Sequence, residues 1–143
     1  MRYSPLIGLF CVGLFLNGAA DAQTPSGVVR IGILNDQSGP YADFGGKTSA
    51  DAARMVVEDV GGKVLGKSIE IIIGDHQNKP DVASAIARRW FDVDGVSAIA
   101  ELTNSAVALA VQQIAKEKGK ITLFTRPATT RLTKSSPADR PCR

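Results

Sequence analysis

Four apolar runs alternate with three amphipathic stretches between residues 28 and 125 of the chain. Each run is short and almost continuously apolar, which is typical of parallel strands that are buried on both faces. Each amphipathic stretch repeats its apolar residues at helical spacing, and a glycine follows its end. The pattern predicts strands at 28–34, 68–74, 96–101 and 121–125, and helices at 47–60, 80–93 and 106–118.

Strands that alternate with helices of this length form βαβ units, and right-handed crossovers place the helices on the faces of one parallel sheet. The sequence therefore predicts a doubly wound α/β fold with a parallel sheet. In such sheets all strands point the same way, and ligands bind at their carboxyl ends. Four loops are expected to meet there, after Leu34, Gly74, Glu101 and Thr125. Segment 35–46 is predicted as a loop and segment 64–67 as a short turn.

The first 22 residues have the organisation of a secretory signal. Arg2 provides a positive charge, residues 6–16 are uninterruptedly apolar, and Ala20 and Ala22 are small residues at the positions that signal peptidase reads. Eleven apolar residues rise only about 16 Å as a helix, roughly half of the hydrocarbon core, which argues against a membrane anchor. We expect cleavage near Ala22 and export to the periplasm.

Charge and composition exclude several function classes. Residues 23–125 carry 11 basic and 12 acidic side chains, so no cationic stripe is expected to bind nucleic acid. After signal removal Cys142 is the only cysteine and His76 the only histidine. An intramolecular disulfide and a zinc site of clustered Cys and His are therefore excluded, and no cofactor is implied. The remaining 121 residues suffice for one core.

Residues 126–143 differ from the rest of the chain. They hold 5 basic residues and 1 acidic residue, three prolines and no aromatic side chain. A segment of this composition buries too little apolar surface to order itself, so we expect a tail whose last part is disordered.

The turn after the third predicted strand is the first candidate binding site. Thr103, Asn104 and Ser105 precede a helix whose first N–H groups lack internal partners, and such a terminus attracts a carboxylate. The alternative is that Thr103 or Asn104 merely caps the helix. Ala128, Thr129 and Thr130 follow the fourth predicted strand and form a second polar cluster, either a neighbouring part of the same site or an ordinary turn.

Aromatic and acidic residues at the same edge leave further alternatives open. Phe44 is flanked by a glycine and could pack on an apolar ligand or cover the sheet end. Asp36 and Glu101 end strands, where a Mg²⁺-dependent phosphotransfer site would place carboxylates, but export removes the chain from ATP. His76 is expected to be a polar residue at the rim. An exported α/β hydrolase would need a nucleophile elbow, which the sequence does not contain.

Several of these segments, in this order, resemble the type I periplasmic substrate-binding proteins of ABC transporters for branched-chain amino acids of the Leu/Ile/Val type. The resemblance covers residues 28 to 133. It is carried by IGIL at 31–34, SGPYA at 38–42, the glycines at 45–46, DHQNKP at 75–80, and segments 96–105 and 123–133.

The resemblance implies a two-lobed protein that closes on a small ligand and delivers it to a membrane permease. Residues 23–125 would then form part of its N-terminal lobe, without enzymatic activity. Transferred by position, the ligand-binding residues are Phe44, Thr103, Asn104, Ser105, Ala128, Thr129 and Thr130. A sensory ligand-binding domain detached from a receptor would use the same pocket and remains an alternative.

Two departures from the family pattern accompany the resemblance. Arg126 stands where a small residue such as Gly or Ser is expected, so its long cation could block the carboxylate site or pair with a carboxylate. The pattern fades after Thr133, and the second lobe is absent. We therefore expect a truncated protein that alone binds its ligand weakly or not at all, because half of the pocket is missing.

Overall fold

The computed structural model of the chain describes residues 27–133. The predicted signal segment 1–22 and the last part of the predicted tail lie outside the described residues. The strands are β1 (Val28–Asn35), β2 (Lys63–Val64), β3 (Lys67–Asp75), β4 (Val96–Glu101) and β5 (Ile121–Phe124). The α-helices are α1 (Ala42–Gly45), α2 (Lys47–Asp59), α3 (Pro80–Asp92) and α4 (Ser105–Glu117).

The strands form one sheet in the order β2-β3-β1-β4-β5. Strands β3, β1, β4 and β5 are parallel, which confirms the predicted doubly wound α/β fold. Strand β2 is an exception, because it pairs with β3 in the antiparallel direction. The prediction of a plain turn at 64–67 was therefore incomplete. Leu65 and Gly66 have positive φ angles and connect a tight hairpin instead.

The main core lies between the sheet and helices α3 and α4. Leu34, Ile99 and Val96 of the strands are fully buried against apolar residues of the two helices. Trp90 of α3 lies across two glycines of the sheet: a Cβ added at Gly32 would lie within 2.5 Å of its Cε3 atom, and one at Gly74 within 2.8 Å of its Cζ2 atom. The glycines therefore provide the flat surface on which the indole packs.

Helix α2 covers the opposite face of the sheet only in part. An apolar groove of about 450 Å³ lies between this helix and the strands, lined by residues such as Ile31, Ile33 and Ile71. Nearby Val56 and Leu123 remain more than half exposed. No helix among residues 27–133 is long and apolar enough to cross a membrane.

The beginning of the predicted tail is structured. The chain after β5 continues into a 3-10 turn at Thr130–Leu132, and Leu132 packs against the main core. This turn and one apolar anchor, Leu132, hold residues 126–133 against the core. A short helix, α1, also lies within segment 35–46, which was predicted entirely as a loop.

Candidate ligand-binding site at the carboxyl edge of the sheet

The turn between β4 and α4 has an unusual backbone. Glu101 and Leu102 have φ angles of 84° and 55°, in the left-handed region that β-branched and bulky residues rarely adopt. The side chain of Leu102 is fully buried and anchors this turn in the core. Such a conformation costs about 1–3 kcal/mol per residue and persists only where the surroundings impose it. It directs Thr103 and Asn104 to the edge of the sheet.

The side chain of Asn104 caps helix α4. Its Oδ1 atom accepts hydrogen bonds from the N–H groups of Ala106 at 2.7 Å and Val107 at 3.1 Å. Its Nδ2 atom donates to Oδ1 of Asn78, in the loop after β3, at 2.6 Å. Both ends of the Asn104 amide are thus engaged within the protein, and this contact joins two of the predicted loops.

The hydroxyl group of Thr103 has no such partner. Its Oγ1 atom is buried and makes no hydrogen bond, and the residue as a whole is 7% exposed. A buried polar atom without a partner costs about 1–3 kcal/mol. Thr103 also lines a hollow at the start of α4.

The loop after β5 forms the opposite wall of this hollow. The guanidinium group of Arg126 lies over the ring of Phe44, 4.8 Å from the ring centroid, and donates a hydrogen bond to the carbonyl oxygen of Phe44. The hollow has a volume of about 440 Å³. We call it the edge hollow; it is lined by Tyr41, Phe44, Thr103, Asn104, Ser105, Ala106, Arg126 and Ala128.

Buried polar groups hold the aromatic wall of the edge hollow in place. The carboxylate of Asp36 accepts hydrogen bonds from the N–H groups of Gly39 at 2.8 Å and Tyr41 at 2.9 Å. The amide of Asn35 donates to the carbonyl oxygens of Gly45 and Gly46. Asp36 therefore shapes the loop that carries Tyr41 and Phe44 and is not presented to a ligand.

Two residues with shifted pKa values, Asp75 and His76, lie at the end of β3 and at the start of the loop that follows it. Burial alone raises the pKa of Asp75, but hydrogen bonds from the Ser38 hydroxyl and from the N–H groups of Gln37 and Gln77 outweigh it, so this pKa lies below its ordinary value. His76 is fully buried, which contradicts its expected place at the rim. Burial lowers the pKa of His76, while the charges of Asp36 and Asp75 act in the opposite direction.

The chain matches the family model of the periplasmic binding proteins over residues 28–141. The chain belongs to this family. A periplasmic binding protein from Burkholderia mallei is 44% identical with a TM-score of 0.72, over 74% of this chain and 28% of that one. A branched-chain amino acid ABC transporter periplasmic ligand-binding protein from Burkholderia xenovorans is 46% identical with a TM-score of 0.70, over 72% and 28%. No curated protein sequence matches the chain.

A third relative was solved with a ligand. The solute-binding protein of an ABC transporter from Rhodopseudomonas palustris, in complex with 4-hydroxybenzoate, is 30% identical with a TM-score of 0.65. The match covers 77% of this chain and 30% of that protein. The chain thus spans less than a third of the length of the periplasmic binding proteins that it matches.

The fold brings most of the predicted site residues of this periplasmic binding protein together. Phe44, Thr103, Asn104, Ser105 and Ala128 all line the edge hollow. Thr129 and Thr130 were predicted with them but are not among the residues that line it.

The two threonines belong to the 3-10 turn instead. The hydroxyl of Thr129 accepts a hydrogen bond from the N–H of Arg131, and the carbonyl oxygen of Thr130 accepts one from Thr133. Sequence reasoning missed the lining residue Tyr41 and the supporting residue Asn78. The positive φ of Asn78 suits asparagine, but the sequence does not show which loop it contacts.

Proposed function

We propose that this chain is the first lobe of an exported solute-binding protein that captures a small carboxylate ligand for an ABC transporter permease. The periplasm is its expected location, and branched-chain amino acids and benzoates are the candidate ligands. Family membership supports the transport role. The relatives from B. xenovorans and R. palustris are, respectively, a periplasmic ligand-binding protein of a branched-chain amino acid ABC transporter and a protein in complex with 4-hydroxybenzoate.

The observation that carries the proposal is the buried hydroxyl of Thr103. It is the residue of the edge hollow whose polar atom is desolvated and unpartnered, and it lies at the positive end of the 13-residue helix α4. A ligand carboxylate would accept a hydrogen bond from this hydroxyl and gain from the helix dipole. A buried hydroxyl without a partner lowers the stability of the unliganded protein, and it strengthens binding when a ligand accepts its hydrogen bond.

The site is suited to binding a ligand without a chemical reaction. The carboxylate of Asp36 accepts two backbone N–H groups, and that of Glu101 accepts a hydrogen bond from the Thr125 hydroxyl at 2.9 Å. Neither group is presented to the edge hollow as an acid or base. Within residues 27–133 no three His, Cys, Asp or Glu side chains come together as metal ligands. We infer a binding protein, not an enzyme.

The replacement Thr103→Val tests this function. It keeps the shape of the side chain but removes the hydroxyl, so we expect affinity for 4-hydroxybenzoate or leucine to fall roughly tenfold to a hundredfold, the equivalent of one lost hydrogen bond to a charged acceptor. The same change removes an unsatisfied buried group, so we expect the melting temperature to stay the same or rise. Affinity is measured by NMR titration of the purified chain at millimolar ligand, because one lobe is expected to bind weakly.

Thr48→Val is the matched control, since Thr48 is exposed on α2 and does not line the edge hollow. We expect this variant to bind as the unmodified chain does. Equal affinity of the Thr103→Val variant and the unmodified chain would contradict the proposed role of the hydroxyl. Of the two outcomes expected from the sequence, weak binding or none, only weak binding agrees with carboxylate capture by this lobe, so failure of both ligand types to bind would contradict it.

A further inference from the structure

The edge hollow is positively charged. Arg126 contributes a guanidinium group to its wall, and none of the lining residues is Asp or Glu. The start of helix α4, on the other wall, adds the positive end of the helix dipole. A ligand in this hollow therefore meets positive potential from both sides.

The acidic residues near this hollow do not present a carboxylate to a ligand inside it. Asp36 is 1% exposed and binds backbone N–H groups of its own loop. Glu101 is 8% exposed, binds Thr125, and lines the apolar groove on the sheet face instead. Asp43 is exposed on α1 and is not a lining residue.

The Arg126 guanidinium contacts Phe44 in two ways. Its contact with the ring and its hydrogen bond to the Phe44 carbonyl orient the plane of the group. A guanidinium has five N–H donors in a rigid fork, so donors remain after this bond to bind a carboxylate in bidentate geometry. A mobile lysine would not offer the same arrangement.

This charge distribution discriminates between two classes of carboxylate. In an α-amino acid the ammonium group is bonded to the carbon next to the carboxylate, so a carboxylate bound between Thr103 and Arg126 carries its ammonium into the same positive region. Like charges at this separation repel, and no acidic lining residue compensates for them. A benzoate or an aliphatic acid brings only the negative charge.

We propose that Arg126 is a specificity-determining residue that selects carboxylates without an α-ammonium group, such as benzoates, over amino acids. This inference rests on the proposed function and specifies the ligand class of the same site. The aromatic rings of Tyr41 and Phe44 at the wall provide apolar surface for the body of such a ligand.

The test compares leucine with 4-methylpentanoate, which has the same side chain and carboxylate but no ammonium. NMR titrations of the full chain are expected to show at least tenfold tighter binding of 4-methylpentanoate. In the Arg126→Gln variant we expect this preference to fall below threefold, through weaker binding of 4-methylpentanoate and equal or tighter binding of leucine. Arg126→Lys keeps the positive charge but not the planar arrangement of donors. We expect its preference to lie between those of the unmodified chain and the Arg126→Gln variant.

Arg131→Gln is the control, because it removes an exposed arginine of the same segment that does not line the edge hollow. Its preference is expected to match that of the unmodified chain. Binding of leucine as tightly as 4-methylpentanoate, or an unchanged preference in Arg126→Gln, would overturn this inference while leaving carboxylate capture intact. If neither ligand binds, the proposed function fails and the inference with it.

Discussion

His76 is a fully buried imidazole in the loop that also supports the edge hollow. Its Nδ1 atom accepts a hydrogen bond from the N–H of Asn78 at 3.0 Å, so the neutral ring carries its proton on Nε2, which has no hydrogen-bond partner. Asn78 in turn contacts Asn104. Protonation would abolish the acceptor at Nδ1 and would place a charge in a desolvated position, so it disrupts the support of the α4 cap.

We predict that acid destabilises the chain through this residue. Because the folded pKa of His76 lies below 6.5, the unfolded chain binds the proton more readily, and the free energy of unfolding falls as pH decreases from 6.5 toward the folded pKa. Asp75 adds a second loss, but only below pH 3.8, since its folded pKa is also lowered. Urea unfolding at pH 7 and pH 5 measures the first effect.

A direct measurement uses the imidazole itself. His76 is the only histidine of the chain, so its ring C–H resonances in untagged protein give its pKa without assignment. We expect a titration midpoint below 6.5. A midpoint above 6.5, or equal unfolding free energies at pH 7 and pH 5, would show that burial does not control this group.

The residues of the α4 turn show how far a sequence can specify a site. The sequence left two alternatives for the polar cluster at 103–105, an anion site or a helix cap, and the structure separates its members. Asn104 serves as the cap, while the unpartnered hydroxyl belongs to Thr103. Sequence could not make this division, because it depends on the positive φ angles at Glu101 and Leu102, which neither residue type favours.

At the scale of elements, the contact between α3 and the sheet depends on glycine. Trp90 is 7% exposed and lies against Gly32 of β1 and Gly74 of β3, where a side chain would collide with its ring. Glycine weakens a strand unless another group needs the space. Here the indole occupies that space, so the two strands and the helix are matched in shape.

We predict that Gly32→Ala destabilises the chain by about 1–3 kcal/mol, the usual cost of overpacking a core. Trp90→Leu should also destabilise it, by leaving a cavity. Because the added methyl group would enter space that the shorter side chain leaves, the double variant should be more stable than the sum of the two effects implies. Urea unfolding of the four proteins measures this coupling, and additive effects would contradict the packing account.

The longer elements were predictable because their signals are strong. Pro80 begins α3 as predicted, and the apolar runs gave the four parallel strands to within a residue. The short elements were missed for a physical reason. Strand β2 has two residues and α1 has four, so neither presents a hydrophobic period, and each depends on contacts with its neighbours.

At the scale of the whole molecule, the described chain presents the edge hollow and one incompletely covered sheet face. The polar groups that could orient a ligand collect in the edge hollow, whereas the groove beside α2 is lined mainly by apolar side chains such as Val57 and Ile71. The relatives are more than three times as long as the segment that matches this chain.

The location of the bound ligand decides whether the edge hollow is the binding site. Backbone amide shifts of the ¹⁵N-labelled chain are recorded while 4-hydroxybenzoate is added to saturation. We predict that the largest shifts occur at Thr103, Ser105 and Ala128, around the edge hollow. Largest shifts at Ala53 and Val57 in the apolar groove, or no shifts at all, would contradict the account.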